Sequence, residues 1–304
     1  RSTPLYSSAA SDVYKRQLIH LGIVYILWGS TYLAIKIAVY EGSGFPPMIM
    51  SATRVFCGSI ILMGLAKIFY KDSLKINRDE FLVLFISGAA LWFGGNGLVA
   101  IAETSINSGY AALIIACTPI WVAIIESILD KKQPSFFLFG SLFISILGIT
   151  VLNWPAISTN DTTDLWSTFL LIFAGLSWGA GSVYQKRKRL KISPEVSSAY
   201  QQIFGGLILF IASFLLSESD ISPSSTSWLA WAYLIIFGSV IAFTSFIKAL
   251  KLLPAKIVFT YAFVNPIVAV MLGFLFLNES ITIWTLIGSS LILIGVFGVF
   301  KEKD

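Results

Sequence analysis

The chain has 304 residues, of which 56% are hydrophobic and only 12% charged, and its mean hydropathy of +0.82 lies far outside the range of a water-soluble domain. Lys and Arg number 21 against 16 Asp and Glu, for a net charge of +5, but they fall in short gaps between apolar runs, which argues against a nucleic-acid-binding face and makes them markers of membrane topology. Cys57 and Cys117 both lie in apolar stretches and read as small buried hydrophobes, not as a disulfide framework.

In chain order, residues 1–17 form a polar leader without the apolar core of a signal peptide, expected to be non-native and set apart from the fold. A bilayer core takes about 20 apolar residues per helix. Runs of that kind fall at 18–40, 47–69, 81–102, 110–129, 136–152, 165–185, 196–216, 228–250, 257–277 and 282–300. The expected fold is therefore an all-α integral membrane protein with ten transmembrane helices.

The basic residues alternate about these spans. Arg1, Lys15 and Arg16 precede the first; Lys67, Lys71, Lys75 and Arg78 follow the second; Lys131 and Lys132 follow the fourth. "KRKRLK" (186–191) follows the sixth, Lys248, Lys251 and Lys256 flank the turn after the eighth, and Lys301 and Lys303 close the chain. The other connections carry Glu41, Glu103, Asp161, Asp164, Glu218, Asp220 and Glu279, without Lys or Arg. The positive-inside rule then puts both termini in the cytoplasm of a multi-pass cell (inner) membrane protein.

"CTPIWVA" (117–123) stands about 147 residues before "VNPIVAV" (264–270), and "WGSTYLAIK" (28–36) stands 150 before "WGAGSVYQK" (178–186). The chain thus reads as a duplicated five-span unit, 18–152 and 165–300. Five is odd, so the second copy enters the membrane from the opposite side, and such an inverted repeat is a transporter signature with its site at the midplane. Trp28, Trp92, Pro119, Trp178 and Pro266 fall near span centres, too deep for an interfacial belt, and are read as lining that site, with helix packing as the alternative. Thr118 beside Pro119 mirrors Asn265 beside Pro266. Asn96 and Asn265 are polar groups at depth that need either helix partners or a ligand.

Charges inside spans are functional candidates by default. Lys36 either snorkels from the outer end of its span or contacts substrate; Arg54 reads first as a tie between helices. Glu126, one turn from Asp130, is a candidate proton relay within reach of cytoplasmic water. His20, at the start of the first span, reads as interfacial.

"WGSTYLAIK", "PPMIMSATR" ending at Arg54, "GNGLVAIAE" ending at Glu103, "SWGAGSVY" and "TYAFVNPIVAVMLGFLFLNES" containing Glu279 together resemble the EamA family of the drug/metabolite transporter superfamily, nearest to its YedA-type exporters. The resemblance covers residues 18–300. It implies two inverted five-helix EamA repeats around a central cavity, export of amino acids or other small metabolites, and cavity positions at Trp28, Thr31, Asn96, Trp178, Tyr261 and Asn265. One departure is that "LDKKQ" stands in the first copy where "LNESI" stands in the second, so Glu279 has a lysine-bearing counterpart.

The function expected is a secondary transporter of small neutral or zwitterionic solutes, amino acids or amphipathic drug-like compounds, since indoles, hydroxyls and amides dominate the candidate cavity. The alternative within the superfamily is a carrier of nucleotide sugars or organic phosphates, which needs basic residues at the midplane, where only Lys36 and Arg54 stand near. An enzyme is not expected: no nucleophile with a base, nor paired carboxylates, lies at membrane depth. No "GxxxxGK[ST]" stretch marks an ATP-driven pump. No cofactor or metal is expected; the partners are a small-molecule substrate and the lipid bilayer, not nucleic acid, with a homodimer left open.

Overall fold

The computed structural model describes residues 4–40, 42–133, 135–159, 161–218 and 222–301, with side chains from Gln17 to Phe300. Of the topology markers, Arg1, Glu41, Asp220 and Lys303, and the side chains of Lys15, Arg16 and Lys301, lie outside this description. Ten helices carry the fold: α1 (Pro4–Ala38, with its apolar span Gln17–Ala38), α2 (Pro47–Ile68), α3 (Arg78–Ser105), α4 (Ser108–Leu129), α5 (Phe136–Leu152), α6 (Thr162–Lys188), α7 (Pro194–Leu215), α8 (Ser225–Leu252), α9 (Ala255–Leu277) and α10 (Ile283–Phe300). Nine of them have the length and hydropathy to cross a membrane, and α5, at 17 residues, is the shorter tenth.

Helix ends follow local chemistry. Asn77 and Glu80 form a reciprocal capping box at the start of α3, while Ser135, Asp161, Ser193 and Ser224 cap α5, α6, α7 and α8 through their side-chain oxygens. These polar caps lengthen α3 and α8 by about one turn beyond the apolar runs expected at 81–102 and 228–250. Upstream, α1 continues back to Pro4 through the polar leader.

Packing obeys a twofold relation between halves. The pairs α2–α7 and α5–α10 each bring together equivalent helices of the two copies, while α1–α9 is matched by α6–α4 and α1–α8 by α6–α3. Between α5 and α10 the approach is through small residues: a side chain on Gly148 would meet the Ile292 backbone nitrogen at 2.8 Å, and one on Gly295 would meet Ser145. The chain is an all-α integral membrane protein, two inverted five-helix repeats with ten helices. Large apolar side chains such as Phe136, Phe143, Phe214, Leu275 and Phe297 are exposed on its periphery, where lipid replaces water as solvent.

Four of the spanning helices depart from regular α geometry along their length. α3 is π-helical over Ala89–Gly97 and α8 over Leu234–Ala242, equivalent places in the two repeats. α4 is interrupted at Ala116 and Cys117, directly before Thr118-Pro119, and α9 at Phe259 and Thr260. Pro266 therefore sits inside the continuous segment Tyr261–Leu277, not at the break, which lies over one turn earlier.

Candidate functional site

The π segment of α3 and residues beside the breaks in α4 and α9 border a central cavity of about 60 Å3, to which the π segment of α8 supplies no lining residue. At ~10–15 Å3 per water, this space holds a few waters, so a larger solute requires the helices to part. One face of α1 supplies Trp28, Thr31, Tyr32 and Ile35; the π-helical part of α3 and the turn after it supply Gly95, Asn96 and Val99. Arg54 comes from α2 and Ile115 from the last turn before the break in α4. The second repeat contributes Ala174 and Trp178 from α6, and Tyr261 and Asn265 from α9.

The aromatic wall is built by edge contacts. The Trp28 ring meets Trp178 at 5.2 Å and Tyr261 at 5.5 Å, both nearly perpendicular, and Phe246 at 4.9 Å. Gly95 makes room for this wall: a Cβ there would stand 2.8 Å from Cε3 of Trp178. The same holds for Gly29, where a Cβ would meet Cβ of Val268 on α9 at 2.7 Å. Phe246 and Phe259, also in ring contact, continue the aromatic packing toward the ends of α8 and α9 that carry the basic residues.

The polar wall centres on Arg54, 2% exposed. Its Nε donates to Ser239 Oγ in the π segment of α8 at 2.9 Å, and its Nη1 donates to Asn96 Oδ1 in the π segment of α3 at 3.1 Å. Its guanidinium carbon lies 5.4 Å from the Trp92 ring centroid. Arg54 therefore ties α2 to both π-helical segments and lines the cavity as well. Thr31 donates to the Trp28 carbonyl at 2.7 Å, so its hydrogen is committed to its own helix. Asn265 is 3% exposed, and its side-chain oxygen is shielded with no hydrogen-bond partner.

Six expected cavity residues, Trp28, Thr31, Asn96, Trp178, Tyr261 and Asn265, are thus brought together, and Arg54 joins them. Trp92 is not among them: it is 1% exposed, packed on Phe243 at 4.7 Å beneath the Arg54 guanidinium. Thr118 turns its hydroxyl to the Ile115 carbonyl at 2.6 Å, the oxygen that Pro119 leaves without its helical donor. Pro119 and Glu126 line a separate vestibule with Asp130, Lys132 and Lys256, and Pro266 is not among the residues lining either space. Lys36 lies on α1 one residue past Ile35 and donates to the Glu103 and Thr104 carbonyls at 2.8 and 3.4 Å, closing the end of α3. Lys186, at the equivalent place on α6, donates to the Leu250 and Leu253 carbonyls at the end of α8. His20 Nδ1 lies 3.2 Å from Ser245 Oγ, linking α1 to α8.

Tyr32, Ile35 and Val99 were not singled out from the sequence, although helical spacing could have found them: 28, 31, 32 and 35 share one face of α1, and 96 and 99 one face of α3.

A profile of the EamA-like transporter family matches residues 18–154 and again 165–301. Among curated proteins, the chain is 31% identical over 252 residues to the uncharacterized inner membrane transporter YedA of Escherichia coli (strain K12), covering 82% of this chain and 79% of that one. It is 23% identical over 283 residues to the uncharacterized transporter YoaV of Bacillus subtilis (strain 168), covering 92% and 95%. A solved crystal structure superposes with a TM-score of 0.69 at 16% identity, covering 94% of this chain and 97% of that one, a likeness of fold. With one family unit in each half, the chain belongs to the EamA-like transporter family and is a membrane transporter, not an enzyme.

Proposed function

We propose that the chain is a secondary transporter that exports small neutral or zwitterionic metabolites, such as amino acids or amphipathic drug-like compounds, by alternating access at the central cavity. The observation that carries this reading is the shielded Asn265 oxygen, an acceptor without a donor beside a cavity whose walls come from both inverted repeats. A buried polar atom left unpaired is costly, and a ligand N–H offsets that cost. The aromatic wall of Trp28, Trp178 and Tyr261 offers the complementary surface for an apolar or cationic part of the solute. The alternation of basic and acidic connections supports cytoplasmic termini, and the inner-membrane relative in Escherichia coli supports that location.

Purified protein is expected to gain thermal stability with members of a metabolite panel, because a ligand that binds only the folded state stabilises it. Asn265→Leu is expected to lose that response while folding normally. Wild-type affinity in Asn265→Leu would remove the proposed role of Asn265, and an unaltered response in Trp28→Ala as well would remove the central cavity as the binding site.

A further inference from the structure

Resting on the central-cavity reading, we propose that Arg54 is the residue that receives the solute's carboxylate, so that among zwitterionic solutes the site takes those with one carboxylate and an apolar or aromatic body. Arg54 is buried, yet among the described residues no carboxylate stands within ion-pair distance of it. Glu103, two turns beyond Asn96 on α3, is a carboxylate whose field it feels, and neither Glu103 oxygen accepts a hydrogen bond from it. A buried cation without a directly paired counter-ion is unfavourable, and a carboxylate entering the cavity supplies one.

The guanidinium is also set up to bind. It carries five N–H groups in a planar fork. Ser239 and Asn96 use one each, through Nε and Nη1, and fix the plane, which leaves three N–H groups without an acceptor among the described residues. Gly238 lets the fork lie close against α8, since a Cβ there would stand 2.9 Å from Nη2. A planar fork held in place suits bidentate recognition of a carboxylate. Charge counting selects the anion: Arg54 is the only charged side chain among the described residues lining the cavity, so it matches one negative charge, not a phosphate dianion. Across the cavity, Trp28, Trp178 and Tyr261 form the surface for the rest of the solute.

The test compares ligands that share a body and differ in the anion: leucine with leucinamide and isoamylamine, phenylalanine with phenylalaninamide and phenethylamine, and phenyl phosphate beside them, each titrated calorimetrically into the purified full chain. The expected result is that each acid binds wild-type protein at least about tenfold more tightly than its amide or amine. In Arg54→Gln that preference should fall to about one, with Arg54→Lys between. Should Arg54→Gln fail to fold, the wild-type ligand series decides alone. Equal affinity for acid and amide overturns the assignment of Arg54 while leaving the cavity reading intact, since that reading stands or falls with Trp28→Ala and Asn265→Leu. Tighter binding of phenyl phosphate, retention of the acid preference in folded Arg54→Gln, or no carboxylate binding at millimolar concentration also overturns it.

Discussion

Pro119 and Pro266 each deprive the carbonyl four residues earlier of its helical hydrogen bond, and the two oxygens are treated differently. Thr118 answers for Pro119 by donating to the Ile115 carbonyl, a local repair that takes the threonine out of the cavity. Asn265 makes no such repair; its oxygen is unpartnered and its side chain lines the cavity. Thr118→Val should therefore cost ~1 kcal/mol of stability by leaving the Ile115 oxygen unsatisfied, with ligand affinity little changed. Asn265→Leu should reverse the pattern, holding stability and losing about tenfold in affinity, one hydrogen bond's worth. Denaturation and calorimetry on the same two preparations check both; equal behaviour of the two variants would sink the distinction. Sequence spacing alone made these residues a matched pair, because an offset of about 147 records common origin but not which carbonyl a hydroxyl reaches. Arg54 was legible as a tie but not as a wall of the cavity, since its position on α2 gives no hint that Asn96 and Ser239 draw its guanidinium inward.

Helices as units were more legible, for a physical reason. Lipid leaves the backbone no solvent partners, so each crossing demands a long apolar helix, and each polar gap is a turn. The π-helical segments of α3 and α8 left no such trace: their hydropathy is that of the helices around them, and a change from i−4 to i−5 bonding needs no special residue. The glycines of "WFGGNG" hint at close approach, and the structure shows whom they admit, Ser177 and Trp178 of α6 and Leu209 of α7. A similar intimacy joins α3 to α7. A Cβ on Gly205 would stand 2.7 Å from the Gly88 carbonyl oxygen and run into the Trp92 side chain, and one on Gly88 would stand 2.6 Å from the Gln201 carbonyl oxygen. Because backbone cannot give way as a side-chain tip can, Gly205→Ala is expected to cost ~1–3 kcal/mol and to lower folded yield. Gly140→Ala, with nothing within 4 Å of the added methyl, is the matched control. Thermal denaturation of both in the same detergent checks the claim, and equal melting temperatures would contradict the packing assigned to α3 and α7.

The whole molecule is fastened unequally at its two ends. Glu218, after α7, accepts from the Met48 and Ile49 amides at the start of α2 at 2.7 and 2.9 Å. Glu279, after α9, accepts from the Ser108 and Gly109 amides at the start of α4 at 2.8 and 3.2 Å. Asn278, in a left-handed turn at φ 54, directs it there, and the absence of a side chain on Gly273 makes room. Both clamps put a carboxylate from the second repeat on a helix N-terminus of the first, where the helix dipole favours it. By the twofold relation, the position equivalent to Glu279 should clamp the start of α9, but "LDKKQ" offers lysines there and α9 has no side-chain cap. That basic end is joined by the half-exposed pair Arg187–Asp130 and the more buried pair Lys248–Glu195, both at 2.6 Å, by Lys186 on the Leu250 and Leu253 carbonyls and by the Tyr25–Thr260 hydroxyl contact, yet it holds vestibules of about 440 and 350 Å3 against about 40 Å3 beside Glu279. Orientation is checked first, in a background lacking Cys57 and Cys117: Ser105→Cys is expected to react with an impermeant thiol reagent from outside the cell, while Ser73→Cys and Lys188→Cys are not. On that footing the two carboxylate clamps and the narrow space beside Glu279 favour closure at the outer end. Removing charge from both clamps, Glu218→Gln with Glu279→Gln, takes away on the order of 1–2 kcal/mol of that bias, and each ~1.4 kcal/mol shifts the outward-open population about tenfold. With that orientation Ile35, two turns along α1 from Trp28, lines the outer side of the cavity, so Ile35→Cys reports the opening. External labelling of Ile35→Cys should therefore speed up several-fold in the doubly neutralised protein, provided that it remains monodisperse. An unchanged rate in folded protein would mean that the carboxylates cap their helices without governing access.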